Sequence, residues 1–413
     1  MIETLNHAAD RALASLAFEF DELERQAAAN IDNRFVANRR HIHRLLSMLR
    51  AMLADLKGAG RSTVQDALKV LDAVQGAHVV WGAYRDRFEQ REREEWRFIL
   101  LLADDLAREC TPAVVQREPP LVMFSAEGSP AVQPRGSPEI PPQLDTPELQ
   151  QRFQDLVFRI PVPILHLPWR SWTDLPSLAV VAHEVGHMVE RDLGLPVADV
   201  AADAVEPEDR DRARQWAREL FADAWGVACC GDAFLEALAL AEAASPQALA
   251  DQAPRDKYPR ALSRLRAAFA AFQALGLPDA LAIESRWTST FEMAGAPALA
   301  DQRVAIQVMQ AFVERTWTDD VRLDRQIPEG NVQDVVTRLN DPTSGLVGGT
   351  DARVVVRALA QLDRARFTPD GASALAKQWR SARHFEDGLL VPSVDDEQLG
   401  KTFARRLLSS ETP

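Results

Sequence analysis

Apolar residues near the N-terminus recur at intervals of three and four, which is the spacing of one face of an α-helix. Two such stretches are complete before Gly58 and Gly60, and Ser62 or Thr63 can then cap a long third helix. The apolar positions of the two stretches are Leu5, Ala9, Leu13, Leu16, Phe20 and Leu23, and Ile42, Leu45, Leu49, Met52 and Leu56; the third helix runs through Leu71, Trp81, Phe88 and Phe98 toward Leu106. We therefore predict an N-terminal helical region over residues 1–110. It is a packed accessory domain, or its helices bind a protein partner as a substrate-recruiting arm or a dimerisation element.

Proline changes the pattern after this region. Residues 111–147 are rich in proline and predict a linker or surface loop, interrupted by an apolar stretch at 121–124 that predicts a strand. Residues 158–167 alternate enough to predict a second extended segment. Because Pro161 and Pro163 lack a backbone N–H, we place this segment at an edge of the sheet.

A helical pattern returns before residue 194. Thr173 or Asp174 can cap this helix, Pro176 fits its first turn, and Gly194 with Pro196 can end it. Its apolar positions are Leu178, Val180, Val181, Val185 and Val189. These signals predict a helix that packs one apolar face into the protein.

Two histidines and a glutamate lie on this predicted helix. His183 and His187 are four residues apart, so their imidazoles lie one turn above each other and can bind one metal ion. Glu184 falls beside them and can accept a proton from water while the metal ion polarises a substrate carbonyl. This HExxH spacing is typical of zinc hydrolases.

A catalytic zinc ion usually has a third protein ligand. A further helix, predicted from near Pro207 to Gly231, carries Glu219 and Asp223 four residues apart. Glu219 can complete the metal site, and Asp223 can accept a hydrogen bond from a ligand histidine and so fix its tautomer. The alternatives are a solvated helix face paired with Arg214 and Arg218, or a different third ligand among Glu190, Asp192 and Glu206.

HExxH on one helix followed by ExxxD on the next resembles the gluzincin metallopeptidases, over residues 183–231. The resemblance implies one Zn²⁺ per chain. The implied ligands are His183, His187 and Glu219. Glu184 is implied as the general base, and Asp223 as the hydrogen-bond partner of a ligand histidine. An edge strand beside the metal helix that holds an extended peptide is also implied, and residues 158–167 are the candidate.

The part of the chain after the second helix is again helical, with frequent proline breaks. A tetrahedral intermediate needs a hydrogen-bond or cationic donor besides the metal ion. Tyr258, at the start of a strong amphipathic helix, is our candidate catalytic residue for this role, with Arg260 and Arg264 as alternatives.

Composition narrows the class of protein. A net charge of −14 disfavours a nucleic-acid-binding protein, because affinity for the phosphate backbone comes largely from basic surface. Three cysteines, two of them adjacent, do not predict a disulfide framework. No run approaches about eighteen apolar residues, and no basic-then-apolar leader is present. We expect a cytoplasmic protein without membrane contact.

Together these patterns predict a mainly α protein with a small β-sheet, in which a zincin-like catalytic core is flanked by helical domains. The predicted order is an N-terminal helical region (1–110), a proline-rich linker (111–147), the catalytic core (148–275) and a C-terminal helical region (276–413). The predicted activity is hydrolysis of peptide bonds in a restricted peptide or protein substrate. Two other functions stay open: a non-catalytic interaction or regulatory protein with a structural or vestigial zinc site, and a zinc hydrolase of a non-peptide amide.

Overall fold

The structure is a computed structural model that describes residues 1–29, 38–115, 118–125, 131–133, 160, 162–242, 258–277, 284–285, 287, 299–341, 350–363, 366–381 and 394–408. The helices are α1 (Ile2–Ala29), α2 (Arg39–Gly58), α3 (Val64–Glu89), α4 (Glu94–Glu109), α5 (Val180–Asp192), α6 (Val197–Asp203), α7 (Arg210–Glu242), α8 (Ala261–Ala274), α9 (Leu299–Glu314), α10 (Val332–Asn340), α11 (Ala352–Ala360), α12 (Pro369–Ser381) and α13 (Val394–Leu408). The strands are β1 (Leu121–Ser125), β2 (Ala131–Gln133), β3 (Ile164–Pro168), β4 (Thr316–Thr318) and β5 (Val321–Arg322). A mainly α protein with a small β-sheet is therefore confirmed, and most of the predicted linker lies outside the described residues.

Four helices form the N-terminal region. Thr63 caps α3 in a capping box, in which its hydroxyl accepts from the backbone N–H of Asp66 and the Asp66 carboxylate accepts from the backbone N–H of Thr63. The single long helix predicted after this cap is wrong, because a 3₁₀ turn at Gln90–Glu92 separates α3 from α4. The turn directs Arg91 inward, where its Nη2 donates to both oxygens of Asp104 at 2.8 and 2.6 Å.

Buried apolar side chains form two clusters. The smaller cluster joins α1, α2 and α3 with the C-terminal helix α13. The larger cluster joins α4 with α5 to α12. Helices α4 and α13 thus pack against elements that are distant in the chain, and the domain boundaries predicted from the sequence stay predictions.

A three-stranded sheet has the order β1-β3-β2, with β3 parallel to β1 and antiparallel to β2. The strand predicted at 121–124 is confirmed. The edge position predicted for 158–167 is wrong for its described part, because β3 is the central strand and β2 lies at the edge. Pro163 precedes β3 and Pro168 is its last residue, so neither interrupts the pairing of Leu165 and His166.

This sheet lies between the two clusters, since alternate side chains on a strand point to opposite faces. Val122 and Leu165 belong to the larger cluster, whereas Leu121 and Ile164 belong to the smaller one. His166 is two residues from Ile164 and therefore on the same face. It is turned away from the cluster that contains α5 and α7.

The long helix α7 forms the centre of the larger cluster. Together with the preceding turn, it is the one helix in the described part of the chain that is long and apolar enough to cross a membrane. Its most apolar stretch of 18 residues has a mean hydropathy of 1.4, and 78% of that stretch is buried within the protein. Core helices of proteins without a membrane span can be equally long and apolar, and the apolar residues of α7 pack in the protein interior.

Candidate metal centre

Helix α5 begins after a 3₁₀ turn at Leu175–Ala179. Asp174 precedes this turn without a capping bond from its side chain, and the Ser177 hydroxyl instead donates to the Asp174 carbonyl at 2.7 Å. Gly194 has φ of 58° and directly follows the last turn, which confirms the predicted helix end. The predicted helix is therefore present, although its start is held by a turn and not by a capping side chain.

Helix α5 packs against α7 at Gly186. A Cβ atom at this position would lie 2.8 Å from Cβ of Trp225 and 2.9 Å from Cα of Ala222. These contacts leave no room for a side chain, so a glycine lets the two helices come this close. The close approach sets the separation between the histidines of α5 and the acids of α7.

Three predicted site residues meet across this helix pair. The ligand atoms of His183, His187 and Glu219 all lie within 4.8 Å of one another. Nε2 of His183 is 3.5 Å from Oε2 of Glu219, and Nε2 of His187 is 3.5 Å from Oε1. The side chains are 10%, 16% and 16% exposed, so the cluster is largely buried and solvent reaches only a small part of each ligand residue.

These separations suit a shared metal ion better than direct hydrogen bonds. An N–H···O bond is usually about 2.9 Å long and weakens well before 3.6 Å. Two ligand atoms of a tetrahedral zinc ion, each about 2.0–2.2 Å from the metal, are roughly 3.3–3.6 Å apart. Two imidazoles and one carboxylate are also a ligand set that zinc accepts. The residues present therefore fit a zinc ion.

Asp223 lies one turn beyond Glu219 and is fully buried. Its Oδ1 is 2.9 Å from Nδ1 of His183, the distance of an ion pair with a protonated imidazole. Arg264 of α8 holds the same carboxylate, because its Nε donates to Oδ2 at 2.6 Å and its Nη2 to Oδ1 at 2.8 Å. The structure thus places Asp223 against a cluster histidine, where the sequence predicted it.

The electrostatics of the cluster depend on these contacts. Burial lowers the pKa of His183, but Asp223 and Glu219 outweigh burial and raise it to about 10. Burial raises the pKa of Glu219, whereas contacts with the two histidines reverse this effect and hold it well below its usual range. Burial likewise opposes ionisation of Asp223, but Arg264 and His183 lower its pKa. The metal-free cluster therefore pairs carboxylates with a protonated imidazole, whose charge a divalent cation can replace.

Glu184 and Tyr258 are the two predicted catalytic residues. Glu184 follows His183 directly on α5 and is buried, and its charge is among those that raise the pKa of His183. Tyr258 is exposed, with its ring 5.7 Å from Cζ of Arg264. Burial and the Glu219 carboxylate raise the pKa of Tyr258, so its phenol keeps its proton. The phenol O–H is thus a hydrogen-bond donor, and its ring lies near Arg264, which binds Asp223.

The three acids that are alternative third ligands lie outside the group formed by His183, His187 and Glu219. Glu190 accepts two hydrogen bonds from Arg218, at 3.0 and 2.8 Å. Glu206 is exposed before the turn that leads into α7. Among the histidines, cysteines and acids that the structure describes, including Asp192 at the end of α5, Glu219 is the residue that completes a three-ligand group with the histidines.

Further contacts of the cluster come from beyond Gly231, where the predicted helix was expected to end. The structure confirms the predicted break, because the backbone of Gly231 is not helical, with φ of 52°, and a second helical segment of α7 follows this kink as far as Glu242. After the kink, Phe234 stacks on His183 with ring centroids 6.1 Å apart and an interplanar angle of 11°. Glu242 accepts from Nη1 of Arg264 at 2.9 Å. Sequence patterns single out neither Phe234 nor Glu242, since their contacts form only after the chain turns back.

Arg260 and Arg264 are the alternative donors to a reaction intermediate. Arg260 forms an ion pair with Asp301, with Nε 3.1 Å from Oδ2. The contacts of Arg264 are with carboxylates of the site itself. Tyr258 therefore keeps the role of candidate donor.

In comparison with known proteins, no protein-family model, no curated protein and no solved structure matches the chain. The geometry provides two imidazoles and a carboxylate that can bind a metal ion, the buried carboxylate of Glu184 on the same helix as the imidazoles, and a phenol near Arg264. Such a set can bind a divalent cation and move a proton next to it.

Proposed function

We propose that the protein is a zinc-dependent hydrolase that cleaves peptide bonds. The observation that supports this proposal most directly is the convergence of His183, His187 and Glu219, with ligand atoms within 4.8 Å and with Glu184 on the same helix as both histidines. The pairing of HExxH with ExxxD on separate helices is the reason for proposing a peptide substrate.

In the proposed reaction, His183, His187 and Glu219 would hold the zinc ion. When bound, zinc supplies a Lewis acid that polarises a carbonyl and lowers the pKa of water. Glu184 accepts a proton from the attacking water on its carboxylate and returns that proton to the leaving amine. Tyr258 donates a hydrogen bond to the oxygen on which negative charge develops.

Replacing Glu184 with Gln tests this assignment. The variant removes the proton acceptor but keeps the shape of the side chain and the three ligands, so it should bind zinc and no longer hydrolyse peptides. Mass spectrometry of a peptide library incubated with each protein measures the hydrolysis. Glu190→Gln is the matched control, because Glu190 lies on the same helix and pairs with Arg218 outside the cluster. Glu190→Gln should bind zinc and hydrolyse peptides as the wild type does.

The outcomes separate the proposed function from its alternatives. Full hydrolysis by Glu184→Gln would contradict the proposed role of Glu184. Zinc binding without cleavage of any peptide, but with cleavage of a small amide that phenanthroline inhibits, would indicate a non-peptide substrate. Zinc binding without either activity would indicate an interaction protein with a structural ion.

A further inference from the structure

Arg264 lies at the centre of a chain of charged side chains behind the proposed metal site. It donates two hydrogen bonds to Asp223, one to each oxygen, and a third to Glu242. Oδ1 of Asp223 is shared, because it accepts from Arg264 and also lies 2.9 Å from Nδ1 of His183. The chain therefore runs from Glu242 through Arg264 and Asp223 to His183.

The segment of α7 after the Gly231 kink contributes to this chain at two points. Glu242 holds one arm of Arg264, and Phe234 covers one face of the His183 ring. Gly226 accommodates this packing, because a Cβ there would lie 2.7 Å from the Phe234 ring. The ring of His183 is thus held along one face and at Nδ1.

We infer that Arg264 is a positioning residue of the metal site, which holds Asp223 so that Asp223 fixes the His183 ring with Nε2 directed at the ligand cluster. The geometry supports this role, because a fork of two N–H groups sets the plane of a carboxylate, whereas a single contact would leave it free to rotate. Groups that orient a metal ligand usually matter nearly as much as the ligand. The inference rests on the proposed function, since it presumes that the cluster binds zinc.

A second arginine, which is partly buried, provides a control with the same forked contact. Arg353 forms the same forked pair with Asp351, through Nε at 3.0 Å and Nη2 at 2.6 Å. Its side chain is 14% exposed, compared with 10% for Arg264, and its ion pair is with Asp351 instead of a cluster acid. Loss of this ion pair should therefore cost stability without altering the metal site.

The experiment compares the zinc affinity of the full chain with that of Arg264→Met, Arg264→Lys, Glu242→Gln and Arg353→Met, by competition with a chromophoric chelator. The visible absorption spectrum of each cobalt(II)-loaded protein reports ligand geometry. Arg264→Met should weaken zinc binding by about 10–100-fold and shift the cobalt spectrum. Arg264→Lys should recover part of the affinity, Glu242→Gln should lose a smaller factor, and Arg353→Met should match the wild type.

Several results would overturn the inference. Wild-type zinc affinity and an unchanged cobalt spectrum in folded Arg264→Met would do so, as would equal weakening by Arg353→Met. If Arg264→Met does not fold, wild-type behaviour of both Arg264→Lys and Glu242→Gln would overturn it. Failure of the wild-type protein to bind zinc would instead overturn the proposed function itself.

Discussion

Glu219 stands 3.5 Å from each of two histidine rings, too far for strong hydrogen bonds and close enough to share an ion with them. Its two oxygens each face one ring, so its carboxylate connects His183 and His187. Asp223 faces His183 from the other nitrogen. At the scale of residues, Asp223 therefore contacts Nδ1 of His183, and Nε2 faces Glu219, where it can bind a metal ion.

Zinc binding should release about one proton per chain near neutral pH, because the histidine must bind through an unprotonated nitrogen. Contacts with Asp223 and Glu219 outweigh burial and raise the pKa of His183 to about 10, so the metal-free protein carries this proton. Titration calorimetry in buffers with different ionisation enthalpies measures the release. A binding enthalpy that is the same in every buffer would contradict the expected protonation of His183.

A second histidine should make the fold sensitive to acid. Burial, together with the charge of Arg87, lowers the pKa of His166 to about 4, from 6.5 in the unfolded chain. Below pH 6.5 His166 becomes protonated in the unfolded chain but stays neutral in the folded protein until about pH 4. The free energy of unfolding should therefore fall by roughly 3 kcal/mol between pH 6.5 and 4. Above pH 6.5 His166 is neutral in both the folded and the unfolded state, so it no longer changes the free energy of unfolding with pH.

His166→Leu should remove this part of the acid sensitivity, as measured by urea unfolding from pH 7 to pH 4. The apolar side chain has nothing to protonate and fills a site where both ring nitrogens lack hydrogen-bond partners among the described residues. His7→Leu is the control, since His7 is exposed on α1. An identical pH dependence in His166→Leu and the wild type would show that His166 titrates normally.

At the scale of elements, the site depends on how closely α5 approaches α7. The histidines belong to one helix and the acids to the other, and Gly186 lies where the backbones meet. The atoms nearest to a Cβ at Gly186 are a Cβ and a backbone Cα, neither of which can move without its helix. Any side chain at this position would therefore separate the ligands.

Gly186→Ala should destabilise the protein by about 1–3 kcal/mol and weaken zinc binding, because the methyl group overpacks the helix contact. Gly82→Ala is the matched control within α3, where no atom lies within 4 Å of the added Cβ. That variant should gain about 0.5–1 kcal/mol from the higher helix propensity of alanine. Urea unfolding and zinc competition measure both effects. Equal stability of the two variants would show that the helices do not meet at Gly186.

Much of the site could be predicted at this scale, because its signals are local. The spacing of His183 and His187 needs only helical periodicity, and Gly194 ends α5 through its own backbone conformation. The central position of β3, the break before α4 and the course of α7 beyond Gly231 could not be predicted. Each depends on a partner far along the chain, such as β2 for β3 or Glu242 for Arg264.

At the scale of the whole molecule, one buried ion pair lies where the two apolar clusters meet. Arg91 and Asp104 are both fully buried, and both bond to the backbone of Val122 in β1. Strand β1 has Leu121 in the smaller cluster and Val122 in the larger one. The pair therefore links α4 to the sheet that separates the clusters.

Arg91→Leu should cost about 3–5 kcal/mol, because it leaves the Asp104 carboxylate buried without its partner. Arg50→Leu is the control, since Arg50 pairs with Asp21 and Glu24 at the surface, where such pairs contribute at most about 1 kcal/mol. Urea unfolding measures both variants. A loss below about 1 kcal/mol in Arg91→Leu would show that the pair does not hold the clusters together.

The sequence predicts this global arrangement less well than it predicts the site. Helical periodicity identifies the region that contains α1 to α4 as helical but does not show that α4 packs with α5 to α12, or that α13 packs with α1, α2 and α3. Both associations join segments far apart in the chain. The amphipathic pattern shows that a helix has an apolar face, but the partner of that face depends on the whole fold.

Zinc content is the most direct test of the central claim that His183, His187 and Glu219 form a metal site. Mass spectrometry of the purified protein should find about one zinc ion per chain in the wild type and in Glu206→Ala, whose side chain is exposed outside the cluster, and little or none in Glu219→Ala. Wild-type protein without zinc after zinc addition, or Glu219→Ala that retains its zinc, would contradict this claim.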